Sequence, residues 1–323
     1  ASGQKRQAPP GGLPARQSSV GSEIMPAQGV ENTVFYVQRG GKRMREISYK
    51  LTADGFTSTD TSLLSEHLFT AGVRVYAVQR GTDTRLWVLM RDGTLAVLTT
   101  NTEQQVTAWQ RIALQGRQVL NLATLPSRLG GEDEVWLIVR NESSGCCTIE
   151  RLSATPVFAD GCVSAEFSTA AGSAGEHLAG LSGFVCPAGK PTEARAVNFG
   201  PGGAFTIPDF VPGTTYTCGA GFCSELQTMA LENMRSYNTV RQEGRVRLRV
   251  LDSDPAFDYK GTLAEQWEHY EPARDARSYP HSGDIRVSQL PEPGVGQGFA
   301  LRVNGALDFR LLSLTVEFDF HGR

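Results

Sequence analysis

A strand–turn–strand phrase occurs three times in the first half of the chain, and nothing else in the sequence constrains the fold as much. It reads Val34-Phe35-Tyr36-Val37-Gln38-Arg39 into Gly40-Gly41 and on through Met44-Arg45-Glu46-Ile47. It returns as Leu86-Trp87-Val88-Leu89-Met90-Arg91, Asp92-Gly93 and Thr94-Leu95-Ala96-Val97-Leu98. The third copy is Val135-Trp136-Leu137-Ile138-Val139-Arg140, a looser turn from Asn141 to Gly145, then Thr148-Ile149-Glu150-Arg151-Leu152. Asp-Gly between alternating apolar residues is a strong hairpin signal, and a recurrence of about 50 residues is the period of a four-stranded propeller blade. Closed propellers need about 4–8 blades, so three imply that the remainder is missing or comes from another chain. In this alignment Trp87 and Trp136 are equivalent, and both are expected in blade cores.

The sequence beyond about residue 155 loses this period. Asp160-Gly161, Gly183, Gly189, Gly200 to Gly203 and Pro212-Gly213 punctuate short strands there, as in a separate barrel or sandwich. Glycine (35) and proline (16) are abundant enough for turn-rich β structure. The expected class is all-β: a partial propeller of about three blades, a β-barrel or sandwich-like domain, and a C-terminal β region. The boundaries fall at 1–30 for a polar, extended N-terminal arm, 31–155 for the blades, 156–240 for the second domain and 241–323 for a region that completes a sheet or a subunit contact. Between the first two blades, Asp60-Thr61-Ser62 is an N-cap cluster before about two helical turns at Leu63 to Leu68. Trp109 is expected to pack between blades. The closing strand alternates, which turns Leu312, Leu314, Val316, Phe318 and Phe320 inward.

Net charge is −3, which argues against non-specific nucleic-acid binding by the whole chain. No window approaches 18 apolar residues, so no transmembrane helix is predicted, and the start shows no apolar core of signal-peptide type. The six cysteines (146, 147, 162, 186, 218, 223) lack any C-x₂-C pair or nearby histidine. They read as reduced and mostly buried thiols, with a Cys218–Cys223 disulfide as an alternative, and neither a metal nor a cofactor is expected. The five histidines form no triad or ligand pattern, and Gly200-Pro201-Gly202-Gly203 reads as a turn because a strand, not a helix, follows it.

Two charged features remain. Asp252 to Glu271 collects six carboxylates on what reads as an irregular loop, with a solvated loop or acidic subunit face favoured over a glycosidase pair. Arg245, Arg247 and Arg249 alternate along one strand, so their guanidinium groups project on one side about 6.6–6.8 Å apart. This row is the candidate subunit-interface or channel surface. A solvated sheet face, a neighbouring acidic surface and DNA phosphate all remain open as what it meets.

The wording of Val34 to Tyr49, Thr61 to Leu68, Leu86 to Leu98 and Glu103 to Trp109 resembles the tail nozzle proteins of short-tailed phages, often labelled tail tubular protein B. Asp160-Gly161, His177 to Gly180, Gly203 to Pro208, Leu226 to Met229 and Leu312 to Phe320 resemble later landmarks of that family. The likeness is strong across 30–110 and looser afterwards, covering the C-terminal half of the family's longer chains. Leu181 to Gly189 departs from it, replacing a more regular strand and Asp-Gly turn. The resemblance implies a non-enzymatic virion protein made in the host bacterial cytoplasm. It would form a homo-oligomeric, hexameric ring around the DNA exit channel, retaining and releasing the genome. Its partners would be adaptor and fibre proteins and, transiently, double-stranded DNA, with no small-molecule substrate. The alternatives are a tail-associated glycan hydrolase and a host-receptor-binding module.

Overall fold

The structure, a computed structural model, describes residues 19–30, 32–51, 54–101, 106–128, 130–153, 159–229, 241–270, 272, 279–287 and 298–320, without the side chains of 241–244 and 317–320. It is all-β, with antiparallel pairing throughout the registers it shows. The chain divides into two compact units. One holds residues up to Ala113 with Gln118–Arg140 and Thr148–Leu152; the other holds Leu114–Arg117, Asn141–Cys147 and Ser153 onward.

The first unit contains the three repeated phrases, each in a sheet of its own. Strands Gln28–Val30, Thr33–Val37, Met44–Lys50 and Gly55–Asp60 pair in chain order, as do Val73–Gln79, Thr84–Met90, Leu95–Asn101 and Val106–Ile112. The third sheet has three strands, Arg117–Leu125, Glu134–Asn141 and Cys147–Arg151, with Glu134–Asn141 in the middle. Local chemistry closes the hairpins. Gly40, Gly41 and Gly93 take φ of 100°, 74° and 88°, which a side chain would resist. The Asp92 carboxylate accepts from Thr94 N at 3.0 Å and Thr94 Oγ1 at 2.7 Å, fixing the Asp-Gly turn. Because side chains alternate across a strand, Leu86, Val88 and Met90 face the first sheet and share a core with Phe35, Val37 and Met44. Trp87 and Leu89 are buried on the opposite face, and two hydrogen bonds tie the second sheet to the third: Gln79 Nε2 donates to Asp133 O (2.9 Å) and Val119 N donates to Gly93 O (3.2 Å).

Several expectations need correction. The described part of the 1–30 arm is not an arm: Gln28–Val30 is an edge strand and Met25 packs on the first core. Residues 1–18 lie outside the described set, as do Glu103 to Gln105. Leu63–Phe69 is a kinked 3₁₀ helix, and Ser62 makes no side-chain cap; its hydroxyl donates to Asp60 Oδ1 and accepts from Met44 N. Trp109 does join two sheets, donating to Thr61 O at 2.8 Å and meeting Phe69 edge-on at 5.0 Å. Trp87 is 7% exposed. Trp136, its sequence equivalent, is only half-buried, because it faces outward on a terminal sheet while Val135, Leu137 and Val139 turn inward.

In the second unit, strands Asp160–Glu166, Thr215–Ala220, Ser182–Pro187 and Arg195–Asn198 form one sheet in that spatial order. Ala171–Ser173 pairs with Ala204–Thr206. Leu178, Phe199, Phe205, Ile207 and Cys218 fill their common core. The remaining strands form two sheets around another core. One runs Ser224–Gln227, Phe299–Val303, Phe257–Gly261, Glu268–Tyr270; the other runs His281–Val287, Arg241–Ser253, Leu311–Phe320. The chain therefore enters this sandwich at Ser224, before the expected boundary at 241.

The closing strand also departs from strict alternation. Leu311, Leu314 and Val316 pack on the core, whereas Leu312 is 58% exposed. The register shows why. Arg249 pairs with Ser313 but Val250 pairs with Leu311, so Leu312 is the extra residue of a β-bulge and the inward phase shifts by one. Phe318 and Phe320 have side chains outside the described set.

A candidate charged interface

The arginine row stands on the central strand of the three-stranded sheet. Val246, Leu248 and Val250 are buried in the sandwich core, so period-two alternation sends Arg245, Arg247 and Arg249 to the opposite face. The structure adds what sequence spacing alone did not reveal. His281–Val287 lies alongside and brings Asp284 opposite Arg249 and Arg286 opposite Arg247. Arg249 Nε donates to Asp284 Oδ1 at 2.8 Å and Nη2 donates to Oδ2 at 3.4 Å, a two-pronged pair. On the other flank Ser313 and Thr315 stand opposite Arg249 and Arg247, and Glu317 is the backbone partner of Arg245.

Arg249 thus finds an acid within its own sheet, 35 residues away in sequence, a partner that none of the three open readings of the row had named. The pair is exposed to water and screened by it, so it adds little to stability. Its effect is on charge: the Arg249 hydrogen bond first, then the Arg249, Arg247 and Arg286 charges, hold the Asp284 carboxyl below its ordinary range against a smaller opposing effect of burial. The three guanidinium groups of Arg247, Arg249 and Arg286 around one carboxylate leave this part of the face basic. Arginine stays protonated at any working pH, so the face can bind carboxylate or phosphate but cannot exchange protons.

The acidic stretch is not the irregular loop its composition suggested. Phe257–Gly261 and Glu268–Tyr270 pair as strands, and Asp258 sits at the centre of an ion-pair hub. It accepts from Arg302 Nη2 (2.9 Å) and Nε (3.2 Å) and from Asn304 Nδ2 (3.3 Å), and shares a 2.9 Å hydrogen bond with His269 Nδ1. Arg302 in turn lies 4.4 Å from the Trp267 ring centroid. Burial would raise the Asp258 carboxyl, but the His269 and Arg302 hydrogen bonds prevail and hold it low. A general acid needs the reverse, a carboxyl raised and facing a substrate. Glu271 lies outside the described residues.

All six cysteines are free, so the Cys218–Cys223 alternative is not formed. The expectation of mostly buried thiols holds only for Cys186 and Cys218; Cys146 and Cys223 are half-buried, and Cys147 and Cys162 exposed. Cys162 still turns its Sγ to Ala159 O at 2.8 Å. Burial pushes the Cys162, Cys186 and Cys218 thiols up to about 11, which keeps them protonated and poorly nucleophilic. Among the described residues, no group of three or more His, Cys, Asp or Glu is placed to hold a metal ion, and no helix is long and apolar enough to cross a membrane.

Acid sensitivity is best read at Asp60. Burial opposes its charge, but Arg43 Nη1 (2.7 Å) and the Ser62 hydroxyl and backbone N–H together hold the carboxyl below its ordinary range. A depressed carboxyl stabilises the fold above the unfolded-state value of about 3.9, and that contribution disappears as pH falls through the folded-state value. The stability difference between wild type and Asp60→Asn is therefore expected to be full at pH 7 and to shrink steadily below about pH 4. Denaturant titrations across that range check it; a difference constant down to pH 2 would contradict it.

No family model and no curated protein matches the chain. Among solved structures, a match is the insecticidal delta-endotoxin Cry8Ea1 from Bacillus thuringiensis, 9% identical over 80% of this chain, with a TM-score of 0.18. The chain covers 55% of that structure's length. So distant a likeness carries no argument about fold or role. What fold and face define is an all-β protein of several antiparallel sheets that presents an arginine-rich sheet surface.

Proposed function

We propose that this chain is a structural subunit of a phage tail nozzle, one of six copies ringing the channel through which the genome leaves. The observation that carries the reading is the repeated phrase, which resembles the nozzle family in sequence and occupies an equivalent hairpin in each of three successive sheets. Such a protein works mechanically and electrostatically, without catalysis. Joined sheets supply rigidity, and a basic surface of modest charge density holds polyanionic DNA weakly enough for it to slide. The Arg245, Arg247, Arg249 face is the surface proposed to meet either DNA or a neighbouring subunit. Engagement of Asp258 by Arg302, His269 and Asn304 weighs against the hydrolase alternative.

Negative-stain imaging of virions labelled with an antibody to this chain tests the reading. Signal on a sixfold ring at the tail supports it; virions without the chain overturn it. Arg247→Glu combined with Arg249→Glu then separates the two roles of the face. Loss of rings marks a subunit contact, whereas intact rings with altered genome retention mark the channel. Normal assembly, retention and infectivity would return the row to a solvated face.

A further inference from the structure

In the second unit, strands Ser182–Pro187 and Arg195–Asn198 pair antiparallel, and alternation gives the pair two distinct faces. Val185 and Val197 turn into the core around Leu178 and Phe199, so Ser182, Phe184, Ala196 and Asn198 stand on the outer face. The register sets Phe184 beside the small Ala196, and Ser182 beside Asn198. Gly221 lets the chain pass the Phe184 ring edge closely: a Cβ there would lie 3.3 Å from Phe184 Cε2. Phe222 follows on the same side, and Gln115 and Asn304 complete a cleft of about 270 Å³ inside this unit. Small-molecule sites begin at about 300 Å³, so the cleft has room for one small ring.

The lining restricts what can enter. None of its side chains carries a formal charge. Burial, and then the Glu225 charge, push the Cys223 thiol at its edge upward, so that group stays protonated. Asp258 and Arg302, which act on Cys223 by charge, are paired with each other at 2.9 Å. A phosphate, carboxylate or ammonium ligand therefore meets no counter-charge in the lining. The amides, by contrast, are set in place. Ser182 Oγ donates to Asn198 Oδ1 at 2.8 Å, which leaves Asn198 Nδ2 as a donor. Asn304 Nδ2 donates to Asp258 Oδ2 at 3.3 Å, which leaves Asn304 Oδ1 as an acceptor. Gln115 is exposed and makes no hydrogen bond among the described residues. Phe184 and Phe222 are half-buried, and neither meets another ring among those residues.

We infer that this cleft binds one uncharged sugar residue of a glycan. Sugar hydroxyls both donate and accept, which suits a fixed donor at Asn198, a fixed acceptor at Asn304 and the two-sided amide of Gln115. The C–H bonds of the sugar ring pack on the phenyl groups by dispersion. Asn198 and Asn304 are each held through their other amide atom, so little ordering is left to be done on binding. With no carboxylate in the lining, the cleft holds a glycan without cleaving it. The site is independent of the nozzle reading.

The test is a printed array of neutral and acidic glycans probed with the full chain, followed by saturation-transfer NMR with the neutral glycan retained best. Neutral glycans are expected to be retained, with magnetisation passing to the C–H protons of a single sugar residue. Asn198→Asp keeps the shape and the bond from Ser182 but removes the Nδ2 donor, and it is expected to weaken binding about tenfold or more. Phe222→Ala is expected to do the same. Asn198 is exposed, so its substitution leaves folding intact, which unchanged far-UV circular dichroism verifies. Lys190→Ala, outside the cleft, is expected to bind as wild type does. No neutral glycan retained, retention of acidic glycans alone, or binding that survives both cleft substitutions would each overturn the site. Virions without the chain would overturn the nozzle reading and leave the site standing.

Discussion

Trp87→Ala is expected to destabilise the first unit by about 3–5 kcal/mol, and Trp136→Ala by only about 1–2 kcal/mol, although the two occupy the same place in the repeat. Trp87 lies between covered sheets, and its indole N–H donates to Gln79 Oε1 at 2.8 Å; Gln79 Nε2 in turn donates to Asp133 O at 2.9 Å. Removing the indole opens a cavity and leaves a buried acceptor without its donor. Trp136 donates to Glu134 Oε2 at 3.0 Å on an outer face, where water replaces whatever is lost. Chemical denaturation followed by circular dichroism, on a transition assigned to this unit by hydrogen exchange, measures both. Equal costs would mean that the third sheet is covered on both faces within a single copy.

Asn141 carries the second large effect. It is buried and uses all its polar capacity within the second unit. Nδ2 donates to His177 O (3.0 Å) and Ala179 O (2.9 Å), and Oδ1 accepts from Ser143 N (2.7 Å) and Ser144 N (3.0 Å). Asn141→Asp keeps the shape but turns a carboxylate oxygen toward two carbonyls, with a cost of about 3–5 kcal/mol expected for a buried charge lacking a partner. Asn141→Ala removes both sets of bonds and is expected to cost about 2–3 kcal/mol. The order of the two variants is the diagnostic, read from denaturation midpoints at neutral pH. An Asp variant at least as stable as the Ala variant would show that the donors do not face those carbonyls.

Asn141 was visible in the sequence only as the first residue of a loose turn, because its bonding to residues near 177 depends on packing. The hairpins, by contrast, were legible. Gly40-Gly41 and Asp92-Gly93 encode backbone conformations that no later contact has to arrange. The all-β class follows from the same local signals, and so does the division of Arg245, Arg247 and Arg249 from Val246, Leu248 and Val250 across one strand, since period-two alternation is intrinsic to extended chain.

Alternation names two faces, but it does not say what covers either of them. Hence Trp87 and Trp136 are alike in sequence and unlike in burial. A bulge at Leu312, invisible in an apolar alternating run, reversed its expected side because register belongs to the pair of strands and not to one of them. The pairing of Arg249 with Asp284, and of Asp258 with Arg302 and His269, joins residues that only sheet formation brings together. The sequence by itself determined strands, turns and the facing of side chains, because those depend on residues a few positions apart. Which faces meet, which charges pair and which surfaces stay open were decided by the tertiary structure, because those depend on register between segments distant along the chain.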